Sequence, residues 1–300
     1  MVLCAGIAVE DFLFKLDTFP APGTKVPASD LVAFPGGCAA NAALAVARLG
    51  GTARFSGPIG TDEASRRFLD GLGRQGVDLS GVHAVEGGSI SVSGIFIDRD
   101  GEKMVATMHG KGLDGMTPPD PAALVAGIDI LLVDNRFPDF VRPICRAAAA
   151  RGIPVVLDVD KATRTGDPLF ETASHVIFSS EALLATTGLA DLEAALMQIA
   201  PVIPGFLAVT NGPGDVLWID GESLRRMPVF KVDVIDTLGA GDSFHGAFTL
   251  ALAEGRDEIA ALRFSAAAAA LKCTRFGGIS GTPRRDEVDD WLARYPLEVE

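Results

Sequence analysis

Tyrosine and tryptophan are scarce in this 300-residue chain, and its basic residues are outnumbered by acids. It holds one Tyr and two Trp, and 26 Lys plus Arg stand against 39 Asp plus Glu, for a net charge of −13. A surface so acidic repels nucleic-acid phosphates and anionic lipid, and few rings are available for base stacking. Nucleic acid and membrane are therefore not expected partners. No apolar run approaches the ~20 residues of a spanning helix; the longest, Ala266 to Leu271, is fenced by Arg263 and Lys272. Cys4, Cys38, Cys145 and Cys273 are far apart and form no C-x-x-C pair. That argues against a disulfide framework or a zinc knuckle and favours buried thiols in a reducing cytoplasm. His83, His109, His175 and His245 are equally scattered, and their spacing assembles no metal cluster. Met1–Val9 carries no basic leader and runs into Glu10-Asp11, so it reads as a first buried strand rather than an address.

What is present is an alternation of short β-branched runs with alanine-rich helical stretches, the pattern of a parallel sheet covered on both faces. Expected central strands are Val2–Val9, Ala53–Ile59, Ile128–Val133, Val155–Asp158, His175–Phe178 and Phe206–Thr210. Expected helices are Ala39–Leu49, one beginning at Thr61-Asp62, Pro143–Arg151, Leu192–Ala200, Ser243–Glu254 and Ile259–Cys273. Two segments break the pattern. Thr24–Phe34 is extended, and Ser89–Ile97 with Lys103–Met108 flanks Asp98-Arg99-Asp100-Gly101, a hairpin with Asp-Gly turn chemistry. In Ser89–Ser93 polar and apolar residues alternate, as in a sheet with one wet face. These insertions, 12–35 and 88–112, read as a small β lid on a large α/β body made of 1–11, 36–87 and 113–300, although two ordinary surface hairpins would leave the same pattern.

Three stretches carry chemistry. In Asp236-Thr237-Leu238-Gly239-Ala240-Gly241-Asp242, the small residues leave backbone amides bare at a helix start, where the helix dipole adds about half a positive charge. An aspartate inside such a nest would repel an anion. It makes sense as a proton acceptor beside a phosphoryl group held by the amides, although Asp236 and Asp242 as plain helix caps fit the spacing as well. Gly36-Gly37-Cys38-Ala39-Ala40-Asn41 opens the first helix, with paired glycines for close approach and an amide side chain one turn on. It is not a dinucleotide fingerprint, and no G-x-x-x-x-G-K-[ST] loop occurs. Asp11 ends the first strand at the edge where open α/β sheets bind ligands.

Together these stretches resemble the PfkB-type carbohydrate kinases of the ribokinase-like superfamily. The D-T-x-G-A-G-D and G-G-x-x-x-N strings match that family's two signatures, and the resemblance spans essentially the whole chain. It implies a three-layer sandwich with a mostly parallel sheet, a β lid that also forms a homodimer interface, and ATP-dependent phosphorylation of a sugar hydroxyl. By resemblance Asp242 is the catalytic base and the amides of Gly239, Ala240 and Gly241 form the anion hole. Asp11, Gly37 and Asn41 match sugar-binding positions. Thr210 and Gly212, with Lys272 and Gly277, match loops around the nucleotide. Asp236 matches a ligand of a potassium ion, with Leu238 in place of the usual Thr. The family's N-x-x-E is absent; Phe178-Ser179-Ser180-Glu181 occupies the region, and Glu181 either approaches magnesium through water or caps its helix. Magnesium is expected because the polyphosphate brings it.

Lys25 and Arg136 are the cations expected near the cleft, with Lys111 behind them. Arginine's planar fork suits an anionic substituent, whereas solvation alone explains a single lysine. Gly23-Thr24-Lys25, Asp134-Asn135-Arg136 and Ala270–Arg275 resemble sulfofructose kinases, and Asp236–Phe244 equally resembles ketohexokinases. The expected acceptor is therefore the primary hydroxyl of a ketose or ketose-derived acid. The alternatives are a kinase for a neutral sugar such as ribose or fructose, or a non-catalytic sugar sensor on the same scaffold. An oxidoreductase is disfavoured because no dinucleotide fingerprint marks the nucleotide segments.

Overall fold

The computed structural model describes residues 1–99 and 102–295. In chain order the strands are β1 (Val2–Ala5), β2 (Val9–Lys15), β3 (Asp30–Gly36), β4 (Ala53–Ser56), β5 (Pro58–Gly60), β6 (His83–Val85), β7 (Ser91–Ile97), β8 (Lys103–Met108), β9 (Ile130–Asp134), β10 (Val155–Val159), β11 (His175–Ser179), β12 (Phe206–Thr210), β13 (Val216–Asp220) and β14 (Ser223–Met227). The helices are α1 (Cys38–Arg48), α2 (Glu63–Arg74), α3 (Pro121–Leu124), α4 (Pro138–Ala149), α5 (Pro168–Thr172), α6 (Ser180–Thr187), α7 (Leu192–Ile199), α8 (Ala240–Ala253), α9 (Glu258–Cys273) and α10 (Arg285–Arg294).

Eight strands form one sheet in the order β14-β13-β12-β11-β10-β9-β1-β4. It is parallel from β4 to β12 and antiparallel at β13 and β14. Side chains alternate between its faces. Val2, Cys4, Ile130 and Leu132 join the core under α1, α8 and α9, while Leu3, Ala5, Leu131 and Val133 join the core under α4 to α7. Runs that are apolar at every position are what burial on both faces requires. Alanine in α1 and α8 serves close packing: a Cβ placed on Gly246 of α8 would lie 2.6 Å from the Ala42 carbonyl of α1. Among the described residues no single helix is long and apolar enough to cross a membrane.

Two expected strands are broken by glycine. Val2–Val9 stops at Gly6, where a Cβ would meet the Asp134 carboxylate at 2.2 Å, and the chain leaves the main sheet to begin β2. Ala53–Ile59 divides at Gly57 into β4 and β5, because Gly57 backs onto the Gly6 carbonyl. Helix α4 starts at Pro138, a proline suited to the first helical turn, and Pro143 falls inside it. The hairpin β13–β14 was not among the expected strands; its exposed, charged second strand hides the sheet period.

The lid is a second sheet in the order β3-β2-β7-β8, with β2 and β7 parallel and the other pairs antiparallel. Its strands run Val9–Gly36 and Ser91–Met108, so the first begins earlier than the expected bound at 12. The Asp100-Gly101 turn lies outside the described residues. The wet-face expectation inverts in β7: Ser91 and Ser93 are buried, while Val92 and Phe96 are only partly covered. Ser91 accepts the Gly110 N–H at 3.0 Å, and Ser93 bonds the Thr107 hydroxyl at 3.0 Å and the Asp11 carboxylate.

Candidate active site

Gly239 adopts φ 76° as the residue before α8, a left-handed conformation natural to glycine, and it turns the chain so that the helix begins at Ala240. First-turn amides have no carbonyl partner within a helix. Of those expected to hold an anion, Ala240 N–H also reaches the Thr237 carbonyl at 3.2 Å. Asp242 lies in the first turn but caps nothing. Its Oδ2 accepts Asn41 Nδ2 from α1 at 2.6 Å, which joins the two signature segments across 201 residues of chain. Neither aspartate caps α8, whose N-cap is Gly239 with no side-chain cap bond; Asp236 Oδ1 instead accepts Leu238 N–H at 2.8 Å, ahead of the helix.

Burial raises the Asp242 carboxyl to about 6; the Asn41 bond works against this, Asp160 adds to it, and Lys272 and Arg136 pull it down. Asp11, buried on β2, points into the same cleft. Burial lifts it to about 7 despite a hydrogen bond from Ser93 on β7, and Asp242 adds to the rise. Gly36 and Gly37 make room for this arrangement. A Cβ on Gly36 would sit 2.0 Å from Asp11 Oδ2, and one on Gly37 would sit 2.5 Å from the Ile7 carbonyl. Asn41 Oδ1 is buried and has no hydrogen-bond partner.

Several site residues escaped the motifs. Parallel strands β9 and β10 end in Asp134, Asp158 and, just beyond, Asp160, and open sheets bind ligands at that edge. Asp134 is fully buried and accepts N–H from Ile7 (2.8 Å), Ala39 (3.1 Å) and Arg136 (3.0 Å), so one carboxylate fixes three loops. Burial lifts it to about 7, with Asp160 adding and the three amides opposing. Asp158 is pushed well up by burial and by Asp160 and Asp242. Beside it, burial holds His245 down at about 4, so the ring is neutral, with Nδ1 2.8 Å from the Gly241 carbonyl.

Arg136 is committed. Its Nε lies 2.9 Å from both oxygens of Asp160, and Nη2 closes on Oδ2. Burial opposes its charge, but Asp160 outweighs it. The expected free fork for an anionic substituent is thus already occupied by a carboxylate. Cys38 donates its thiol to Asp160 Oδ2 at 3.2 Å, and burial with the surrounding acids keeps that thiol protonated. One group of donor atoms from distant segments, with no histidine in it, does come together. Single ligand atoms of Cys38, Asp158 and Asp242 lie within 4.8 Å of one another, a set that could hold a divalent cation.

Of the residues expected around the nucleotide, Thr210 ends β12 and Gly212 turns with φ 51°, both partly or fully open to solvent. Gly277 and Gly278 donate their amides to Asp236 Oδ2 at 3.1 and 2.8 Å, and Phe34 of the lid packs against Gly278. Lys272, expected beside the nucleotide, is 0% exposed and points inward, with Nζ 2.7 Å from the Asp236 carbonyl. An ammonium in that place does not fit a potassium ion using Asp236. Glu181 is exposed in the first turn of α6, which is capped by Ser179 and not by Glu181. Its open carboxylate fits a water-bridged approach to magnesium. Lys25 and Lys111 are exposed, and among the described residues no contact ties either to this cluster.

The family model described as pfkB family carbohydrate kinase matches residues 1–285. A ribokinase from Bacillus subtilis is 28% identical over 287 residues, covering 94% of this chain and 96% of that protein. The crystal structure of a presumed ribokinase from Agrobacterium tumefaciens superposes with a TM-score of 0.93 at 36% identity, covering 98% of this chain and 97% of the other. Arabidopsis thaliana ribokinase, solved with ribose and ATP, gives 0.84 at 25% identity over 97% and 98%. The chain belongs to the pfkB family of carbohydrate kinases and is a phosphotransferase acting on a sugar.

Proposed function

We propose that this protein transfers the γ-phosphate of ATP to the primary hydroxyl of a neutral sugar of the ribose class. The observation that carries the reading is Asp242 at the mouth of α8, bonded to Asn41 and facing Asp11 across the cleft. Asp242 takes the proton of the attacking hydroxyl, whose oxygen bonds to phosphorus as the bond to the bridging oxygen of ADP breaks. The amides at the start of α8 steady the charge on the transferring group. Magnesium, arriving on the polyphosphate, neutralises phosphate charge, and Glu181 is the residue placed to meet it through water.

A neutral acceptor suits this pocket better than the ketose-derived acid that Arg136 suggested. Asp11, Asp158, Asp160 and Asp242 crowd it, and the Arg136 guanidinium is already paired. Carboxylates and the unpartnered Asn41 Oδ1 recognise hydroxyls. The ribokinase relatives point the same way.

The lid also offers a homodimer surface. Leu31, Phe14, Phe96 and Met104 are register neighbours across all four strands on the outer face, with Leu31 and Met104 about half exposed. Free cysteines and a need for ATP fit a cytoplasmic site of action.

The test is Asp242→Asn, which keeps the shape and removes the base. Sugar and ATP binding should persist while turnover falls by ~10²–10⁴-fold. Near-normal turnover in an ADP-release assay would reject Asp242 as the base. A panel of ribose, fructose and sulfonated or carboxylated ketoses decides the acceptor.

A further inference from the structure

We infer that the Lys272 side chain is a built-in monovalent cation that braces the anion-hole loop, so that catalysis needs no potassium ion. The inference rests on the kinase activity but not on which sugar is phosphorylated.

Asp236 is 1% exposed and every polar atom of it that the structure resolves is in use. Oδ1 takes Leu238 N–H, one residue before Gly239. Oδ2 takes Gly277 and Gly278 N–H from the loop after α9. The residue therefore clamps the loop leading into the anion hole to the loop that carries the lid contact with Phe34. A buried carboxylate in this position needs a counter-charge, because its repulsion would otherwise act on a phosphoryl group only a few residues away.

Lys272 supplies it. Its Nζ donates to the Asp236 carbonyl at 2.7 Å and stands 3.4 Å from Oδ2, at the end of a side chain with no exposure. The ammonium thus meets a main-chain carbonyl and a carboxylate together, the oxygen types that a dehydrated monovalent cation takes. A lysine tethered by α9 delivers the charge without a salt requirement; burial lowers its pKa, and Asp236 opposes that fall. It acts through Asp236 and touches neither reactant, so it is a positioning residue.

The first experiment needs no variant. Wild-type turnover, measured by ADP release at constant ionic strength, should differ less than twofold between potassium and tetramethylammonium chloride. Its Tm should be equally indifferent. Activation of wild type by potassium of tenfold or more would overturn the inference. Lys272→Ala removes the charge and opens its space. Its kcat in tetramethylammonium should fall at least tenfold and recover in potassium or ammonium chloride, with a Tm rise of a few °C in the same salts. Lys272→Met keeps the volume and should lose kcat without recovery. Full kcat in Lys272→Met would equally overturn it, since the ammonium would then have no role. Should either variant not fold, the wild-type salt comparison still decides. The Tm readings do not depend on the acceptor sugar, so a wrong substrate assignment and a wrong role for Lys272 give different results.

Discussion

Asn41 should tune the base as well as hold the sugar, and the two roles separate in a pH profile. Its Nδ2 donates to Asp242 Oδ2 at 2.6 Å and favours the charged carboxylate. Hydrogen bonds to charged groups contribute roughly 1.5–3 kcal/mol, and 1.36 kcal/mol corresponds to one pKa unit, so Asn41→Ala should raise the Asp242 carboxyl by ~1–2 units. The sign is fixed by mechanism: the base works deprotonated, so activity rises with pH through the carboxyl's titration. For wild type that limb lies at about 6. In Asn41→Ala it should move to about 7–8, leaving roughly one-tenth of the base ionised at pH 6.5 against about three-quarters in wild type. The assay is kcat by ADP release from pH 5 to 9.5 at saturating sugar and ATP. The deficit should be roughly eightfold near pH 6.5 and should close by pH 9. Loss of the sugar contact through Oδ1 raises KM at every pH and leaves the limb in place. An unmoved limb would refute the tuning role, whatever happens to KM.

Asp160→Asn should free the Arg136 fork by removing the carboxylate now closed on it; kcat/KM ratios for sulfonated against neutral sugars should then rise at least tenfold, and an unchanged ratio would show that Arg136 lies out of reach of the acceptor. Gly246→Val should lower stability through the α1–α8 contact, since its Cβ would lie 2.6 Å from the Ala42 carbonyl and 2.8 Å from the Ala45 Cβ. Overpacking of this kind costs about 1–3 kcal/mol, and scanning calorimetry should register roughly 2–4 °C per kcal/mol.

The central strands and most helices were legible because burial on both faces leaves continuous apolar runs such as Val155–Val159, and because Asp62 and Asp191 write their N-caps in the sequence. The proposed base and anion hole lie in one local string, Asp236–Asp242. What spacing could not give was partnership. Arg136 read as a fork for an anion because Asp160 is 24 residues away, just past the next strand, and Lys272 read as a neighbour of the nucleotide because nothing local shows that Asp236, 36 residues earlier, receives it. Cys38 likewise read as an inert thiol, whereas three-dimensional folding sets it beside Asp158, Asp160 and Asp242. The lid serines misled for a related reason. A period-two pattern fixes which residues share a face, not which face meets water.

The charges around Asp242 form a consistent arrangement once each cation is assigned to its own acid. Arg136 belongs to Asp160 and Lys272 to Asp236, so neither fully neutralises the base. Asp11, Asp134 and Asp158 are all pushed up by burial and by their neighbours. Burial and mutual repulsion therefore hold these carboxyls, Asp242 among them, above the ordinary carboxylate range. That makes Asp242 basic enough to accept a proton from an alcohol, which a carboxylate paired directly with arginine would do poorly. The same crowd of acids would repel a phosphate, in keeping with a proposed phosphoryl site made of peptide amides and a helix dipole at α8, with Asp236 on the loop leading into it already paired with Lys272. In the proposed reaction, hydroxyl recognition and phosphate recognition are divided between the strand edge and the helix mouth, and Asp242 is the residue that belongs to both.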